Sequence, residues 1–289
     1  MATLVAIFLR LKYKPLMSSE IKSRRFIEQK RTMPNKKVSF KSSKIVVKEE
    51  SFNNDQLFVL GRDDNEVILY FHGGAYVKNI TRSHFKMLEK ICLLTGRQIY
   101  IPIYKKAPQH CYEDALKDMG ELYQRLLKEK KDIIFMGDSA GGGFIYSLCL
   151  YLNDRGIKLP SRLIALSPWV DVSMDKQTYI NEKNDSMEGS KGAKVFGEYW
   201  SKGDIKSPYV SPTYGDLSNM PESLIVVGGK EILLEDIIEF TKKLVDAHNK
   251  VTLIKQDYMG HVYPAYPIKE GKIALKQIEH FIDKENKDE

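Results

Sequence analysis

The sequence predicts an α/β fold, a mostly parallel sheet of eight strands with helices on both faces. Three observations carry this. From residue 44 onward, short β-branched runs alternate with longer stretches of helical apolar period. The later runs are separated by helical patterns, the connectivity that parallel strands require. One run, Asp132-Ile-Ile-Phe-Met136, breaks into the glycine-flanked serine of Gly137-Asp-Ser-Ala-Gly141, where a strand turns sharply into a helix. With 289 residues, 43% of them hydrophobic, the chain can bury a sizeable core and has a normal length for one α/β domain with insertions, so 1–289 is taken as a single domain.

The net charge of +7 is unevenly spread: residues 1–50 hold 13 Lys and Arg against 4 Asp and Glu, and the remainder 32 against 34. The basic residues are interleaved with Phe26, Ile27 and Val38, the pattern of a solvated helix face rather than of a nucleic-acid or lipid-binding block. The apolar stretch 2–9 is followed by Arg10, Lys12 and Lys14 and lacks a charged leader or small-residue cleavage site, so neither a signal peptide nor a membrane span is expected. Leu4, Phe8 and Leu11 at helical spacing predict a short amphipathic helix that ends near Pro15 and covers something apolar. Cys92, Cys111 and Cys149 have neither disulfide nor zinc spacing, which points to a reduced, cytoplasmic setting.

Strands are predicted at 44–48, 56–60, 66–71, 98–103, 132–136, 163–167, 223–227 and 252–256, and helices near 82–95, 113–130, 140–153, 232–248 and 271–284. Gly61-Arg-Asp-Asp-Asn65 reads as the turn of an early hairpin. Residues 1 to about 40 and 172–205 fall outside the alternation and together predict a helical cap over the strand ends. In the second stretch Phe196, Tyr199 and Trp200 share a helical spacing that is read as packing against the body rather than as an acyl pocket.

Ser139 is the candidate nucleophile, at the N-terminus of a helix whose dipole faces whatever it attacks. The run 66–71 leads into His72-Gly-Gly-Ala75 at the same sheet edge, where the N–H groups of Gly73 and Gly74, with that of Ala140, can meet an alkoxide. A serine needs a base. Of six histidines, His84, His248 and His280 fall in helical patterns among charges and read as surface positions, and His110 lies in a loop far from the catalytic edge. His261 follows the last strand by a short glycine-containing loop, in the chain order nucleophile, acid, histidine. The loop after 223–227 offers three acids, Glu231, Glu235 and Asp236, the last two in a first helical turn where the dipole favours carboxylates without any catalytic role.

Together His72-Gly-Gly-Ala75, Gly137-Asp-Ser-Ala-Gly-Gly142, Ser167-Pro-Trp-Val-Asp171 and Met259-Gly-His261 resemble the hormone-sensitive lipase family of α/β-hydrolase esterases. Tyr104-Lys-Lys-Ala-Pro108, the acidic Glu113-Asp114 and Ser211-Pro-Thr-Tyr-Gly-Asp216 extend the likeness over residues 66–265. The resemblance implies the α/β-hydrolase fold, a cap built from the N-terminus and an insertion, a serine carboxylesterase acting on short- to medium-chain esters, and frequent homodimers. It implies Ser139 as nucleophile, His261 as base and acid, an oxyanion hole of Gly73, Gly74 and Ala140, and no metal or cofactor. The family's usual aspartate-proline stands here as Glu231-Ile232, and the thirty-residue gap to His261 favours Glu231 over Asp236. Ala75 replaces a third glycine. Rival readings are an amidase or peptidase on the same triad, a non-catalytic small-molecule-binding member of the fold, and a lipase working at an interface.

Overall fold

The computed structural model describes residues 2–32 and 37–284. Residue 1, residues 33–36 and residues 285–289, which include parts of the predicted cap range 1–40 and of the predicted single domain 1–289, lie outside the described residues.

The strands are β1 (Val47–Phe52), β2 (Asp55–Leu60), β3 (Glu66–Phe71), β4 (Gln98–Pro102), β5 (Asp132–Asp138), β6 (Arg162–Leu166), β7 (Glu222–Gly228) and β8 (Val251–Gln256). They form one sheet in the order β1-β2-β4-β3-β5-β6-β7-β8, antiparallel at β1/β2 and β2/β4 and parallel elsewhere. Alternate residues of the central strands feed different cores. Val67, Leu69 and Phe71 of β3 and Ile133 and Phe135 of β5 join one cluster, while Ile68, Tyr70, Ile134 and Met136 join the other. Strands buried on both faces read as continuous apolar runs, which is why these were visible in the sequence.

Nine α-helices are described: α1 (Ala2–Lys12), α2 (Lys14–Met17), α3 (Glu20–Thr32), α4 (Arg82–Thr95), α5 (Tyr112–Glu129), α6 (Ala140–Asn153), α7 (Ser190–Ser201), α8 (Leu234–Asp246) and α9 (Lys269–Ile282). The buried residues of α5, α6, α7 and α8 pack on one face of the sheet and those of α4 and α9 on the other. The three cysteines are buried and free, and among the described residues no helix is long and apolar enough to cross a membrane.

Two sequence readings need correction. Residues 61–65 do not turn a hairpin, because β2 pairs with β4 and β3 lies on the far side of β4. The hairpin joins β1 to β2, closed by Asn53 and Asn54 at φ 46° and 67°, a left-handed pair that asparagine tolerates. Its register, with Phe52 opposite Asp55, moves the first strand to 47–52 from the expected 44–48. The second correction concerns α1. Its predicted apolar stripe faces outward, with Leu4, Phe8 and Leu11 at 72%, 60% and 76% exposure, while Leu9 is buried and Val5 packs against the α4/α9 core. Apolar residues surround this helix, so spacing alone could not choose its inward face. It stops at Lys12, and Pro15 falls in the first turn of α2, where a missing N–H costs nothing.

The helices α2, α3 and α7 pack together. Met17 sits so close to the start of α7 that a Cβ on Gly189 or Gly192 would lie 2.7 or 2.5 Å from its carbonyl oxygen. Arg24 reaches Glu198 at 2.7 Å and the Phe26 and Phe196 rings meet at 6.1 Å. Trp200, fully buried, stacks on Tyr76 of the body at 4.2 Å with the rings 1° from parallel, so the aromatic spacing is packing. Its loss leaves a large void between α7 and the body. Trp200→Ala is expected to destabilise the fold by about 3–5 kcal/mol and Trp200→Phe by clearly less, measured by urea unfolding.

Candidate active site

β5 ends against the backbone of its own helix. A Cβ on Gly137 would lie 2.3 Å from the Gly141 carbonyl oxygen, and one on Gly141 would lie 2.0 Å from that of Phe71, so only glycine fits at either place. Between them Ser139 is held at φ 52°, ψ −121°, its N–H donating to Leu166 at 2.8 Å and its carbonyl accepting from Gly143 at 3.0 Å and Trp169 at 2.9 Å. A non-glycine residue at positive φ stores strain, about 1–3 kcal/mol, and these backbone bonds hold it there. The hydroxyl is thereby turned out at the carboxyl edge of the sheet.

His261 lies in the loop after β8, its Nε2 2.9 Å from Ser139 Oγ and its Nδ1 2.8 Å from Glu231 Oε2. A carboxylate only accepts, so Nδ1–H donates to Glu231, which in the neutral imidazole leaves Nε2 to accept from the serine hydroxyl. The other oxygen of Glu231 accepts from Ser167 Oγ at 2.9 Å and from the Gly228 N–H. Ser167 in turn accepts the Val262 N–H at 3.0 Å, tying the acid to the residue after the histidine. Of the three acids left open by the sequence, Glu231 is the one beside His261. Asp236 pairs with Lys176 at 2.9 Å, its carboxyl raised by burial to about 6, and Glu235 accepts the Ile180 N–H at 3.0 Å. Burial works against a charged imidazole, but the hydrogen bond and charge of Glu231, joined by Glu188 and Asp185, outweigh it and hold His261 at about 9.

The expected oxyanion donors need revision. Gly73 turns its N–H inward, to Asp138 Oδ1 at 2.8 Å. Beyond it Gly74, Ala75 and Tyr76 all have positive φ, at 131°, 52° and 58°, and reverse the chain. Among the described residues no protein group accepts the N–H of Gly74, Ala75 or Ala140. These three, rather than Gly73, Gly74 and Ala140, are the free donors. Asp138 also accepts from Tyr70 Oη and, at 3.0 Å, from His84 Nε2. Burial opposes its charge, yet His84 and the bonds from Tyr70 and Gly73 keep the carboxyl below the usual range. His84 is therefore no surface residue, although it was read as one from its charged neighbours. His72 donates Nδ1–H to the Gly73 carbonyl at 2.7 Å and packs against the Tyr104 ring at 4.7 Å, tilted by 31°, a structural role. His248 and His280 are exposed.

A cavity of about 330 Å³ opens at Ser139, lined also by Gly74, Lys78, Glu188, His261 and Tyr13. A second, about 350 Å³, adjoins it and shares His261, Leu9, Met187 and Tyr266. Another, about 670 Å³, lies between β8 and α9 and holds none of these groups.

The profile of the α/β hydrolase fold matches residues 68–265. An esterase of Acinetobacter venetianus is 32% identical over 224 residues, 75% of this chain and 74% of the relative. An acetyl-hydrolase of Streptomyces hygroscopicus is 27% identical over 74% of each chain. The crystal structure of an esterase from the bacterial hormone-sensitive lipase family superposes with a TM-score of 0.80 at 27% identity, covering 92% of this chain and 97% of that one.

The chain belongs to the hormone-sensitive lipase family of α/β-hydrolases. Within that frame, sequence reasoning missed the supports. Ser167 and Asp138 stood inside quoted motifs but carried no signal of their bonding. Asn181 and Asp185, in the insertion, hold the acid loop through Asn181 Nδ2 to the Gly229 and Glu231 carbonyls, at 3.0 and 3.2 Å, and through the Ile232 N–H to Asp185 at 2.8 Å. No local pattern announces such contacts.

The raised histidine depends on Glu231. Followed by NMR, His261 is expected to titrate near 9, and in Glu231→Gln to fall by more than about one unit, since burial then acts with less opposition.

Proposed function

We propose that this chain is a serine carboxylesterase of short- to medium-chain esters, working through an acyl-enzyme. The observation that carries the reading is the hydrogen-bonded line from Ser139 Oγ through His261 to Glu231, 2.9 and 2.8 Å long, with the serine end open to a cavity. The naming of relatives as esterase and acetyl-hydrolase supports it.

His261 Nε2 takes the Ser139 proton as Oγ attacks the ester carbonyl. The carbonyl electron pair moves to oxygen, where the N–H groups of Gly74, Ala75 and Ala140 and the N-terminus of α6 meet the charge. The intermediate collapses, the C–O bond to the alcohol breaks, and the leaving oxygen takes the proton back from His261. Water then repeats the sequence on the acyl-Ser139 ester: His261 removes its proton, and Ser139 recovers one as the acid departs. Glu231 keeps the proton on Nδ1 and stabilises the imidazolium, its extra methylene relative to aspartate accommodated by the bonds from Ser167 and Gly228. Helices α1–α3 and the segment 172–205 act as the cap over the cavity, and no metal or cofactor takes part. A binding-only role is disfavoured because nucleophile, base and acid stand within hydrogen-bond reach.

Three measurements test this. Purified protein is expected to hydrolyse p-nitrophenyl acetate, butyrate and hexanoate and to be labelled by a fluorophosphonate, with Ser139→Ala slower by about 10⁴-fold or more and unlabelled. Inactivity toward the whole ester series, or an active Ser139→Ala, removes the reading, and faster cleavage of an anilide than of its matched ester reassigns the enzyme as an amidase. Because the imidazolium cannot accept the serine proton, kcat/KM is expected to rise with pH through neutrality and to level off near 9. Asp138→Asn, which loosens Gly73 and with it the donor turn, is expected to lower kcat by about 10- to 100-fold with KM little changed.

A further inference from the structure

We propose that the cavity at Ser139 selects esters carrying a carboxylate, which the Lys78 ammonium binds with Lys12 beside it. This deepens the carboxylesterase reading and rests on it.

Lys78 is fixed by the donor turn itself. Its N–H donates to the Gly74 carbonyl at 2.9 Å, and the turn is so tight that a Cβ on Gly74 would lie 2.7 Å from the Lys78 carbonyl oxygen. The side chain therefore keeps a set position relative to the free N–H groups of Gly74 and Ala75. Its Nζ lies over three rings brought by the N-terminal helices and α7, 5.1 Å from the centroid of Tyr13, 5.9 Å from Phe26 and 5.6 Å from Phe196. Rings attract an ammonium electrostatically but leave its N–H groups without an acceptor along the open side.

That open side is the cavity. Among the described residues no oxygen accepts from Lys78 Nζ, although the residue lines the space in front of Ser139. Neighbouring Lys14, by contrast, is spent on the carbonyls of Glu182 and Glu188. Burial lowers the Lys78 pKa, and the charge of Glu188, which acts the other way, does not offset it. Lys12, whose Nζ lies 5.0 Å from the same Tyr13 ring, adds a second positive charge to the wall.

Glu188 also lines the cavity with Lys78 and His261, and among the described residues it forms no ion pair with either. Burial raises its carboxyl, and the nearby charges of His261, Lys78 and Lys14 act against that rise. Arg82, on the rim, adds positive charge. A lysine kept only for its packing stem could be methionine at no loss; a carboxylate ligand is what makes the ammonium useful here.

The test pairs esters of matched chain length that end in a carboxylate or in a methyl group. On the acyl side these are p-nitrophenyl hydrogen adipate and p-nitrophenyl hexanoate; on the alcohol side, carboxymethyl butyrate and propyl butyrate, followed by pH-stat. The anionic member is expected to have the higher kcat/KM in at least one pair. Its advantage over the neutral member falls by about tenfold or more in Lys78→Met, the loss of one hydrogen-bonded charge, and survives in Lys78→Arg. Free adipate is expected to inhibit hydrolysis of the neutral ester competitively in the native protein and not in Lys78→Met. Preference for the neutral member in both pairs, an advantage unchanged in Lys78→Met, or preference for an ammonium-bearing ester, which would assign the cavity to Glu188, overturns the inference while leaving the esterase reading intact. Failure to hydrolyse any of the four esters removes both.

Discussion

The site depends on a backbone collision avoided. β5 can run into α6 only because Gly137 and Gly141 lack a Cβ, each of which would otherwise sit within 2.3 Å of a main-chain oxygen. The residue between them takes φ 52°, a conformation that costs free energy in isolation. It persists because the Leu166 carbonyl, the Gly143 N–H and the Trp169 N–H each claim a main-chain group of Ser139. The strain is local, whereas its support comes from β6, α6 and the segment after β6. The serine is thus positioned by the body of the sheet rather than by its own loop.

The same economy appears on either side of it. A fully buried Glu231 would be destabilising alone. It is matched by His261, Ser167 and the Gly228 N–H, so that both oxygens have partners and its carboxylate is preorganised for an imidazolium. Asp138 plays the corresponding part beneath the donor turn, held by Tyr70, His84 and Gly73. Gly73 is therefore a strut, its N–H already taken by Asp138. Its anchored N–H leaves the next two amides, Gly74 and Ala75, to face the cavity, and Ala75 tolerates its left-handed φ of 52° within a turn fixed at both ends.

What the sequence disclosed follows from this division. Strands buried on both faces announced themselves as apolar runs, and the Gly137–Gly141 turn, the His72-Gly-Gly stretch and His261 stood at strand ends in a workable chain order. Contacts made across the fold were silent. The inward-turned Gly73 N–H depends on Asp138, 65 residues away, and His84 lay in a charged helix that gave no sign of the buried carboxylate it meets. At the exposed edge the pattern weakened as well. β1 alternates too little to fix its own register, and the signal that does fix it, Asn53-Asn54, is one of turn chemistry rather than hydrophobicity.

The insertion and the N-terminal helices are linked to this chemistry mechanically. Residues 181 and 185 clasp the Glu231 loop, while Lys14 holds the carbonyls of residues 182 and 188, and Met17 packs against the glycines that open α7. The same helices bring Tyr13 and Phe26 over the Lys78 ammonium. The contacts that hold the Glu231 loop and those that wall the cavity at Ser139 therefore run through the same helices and insertion.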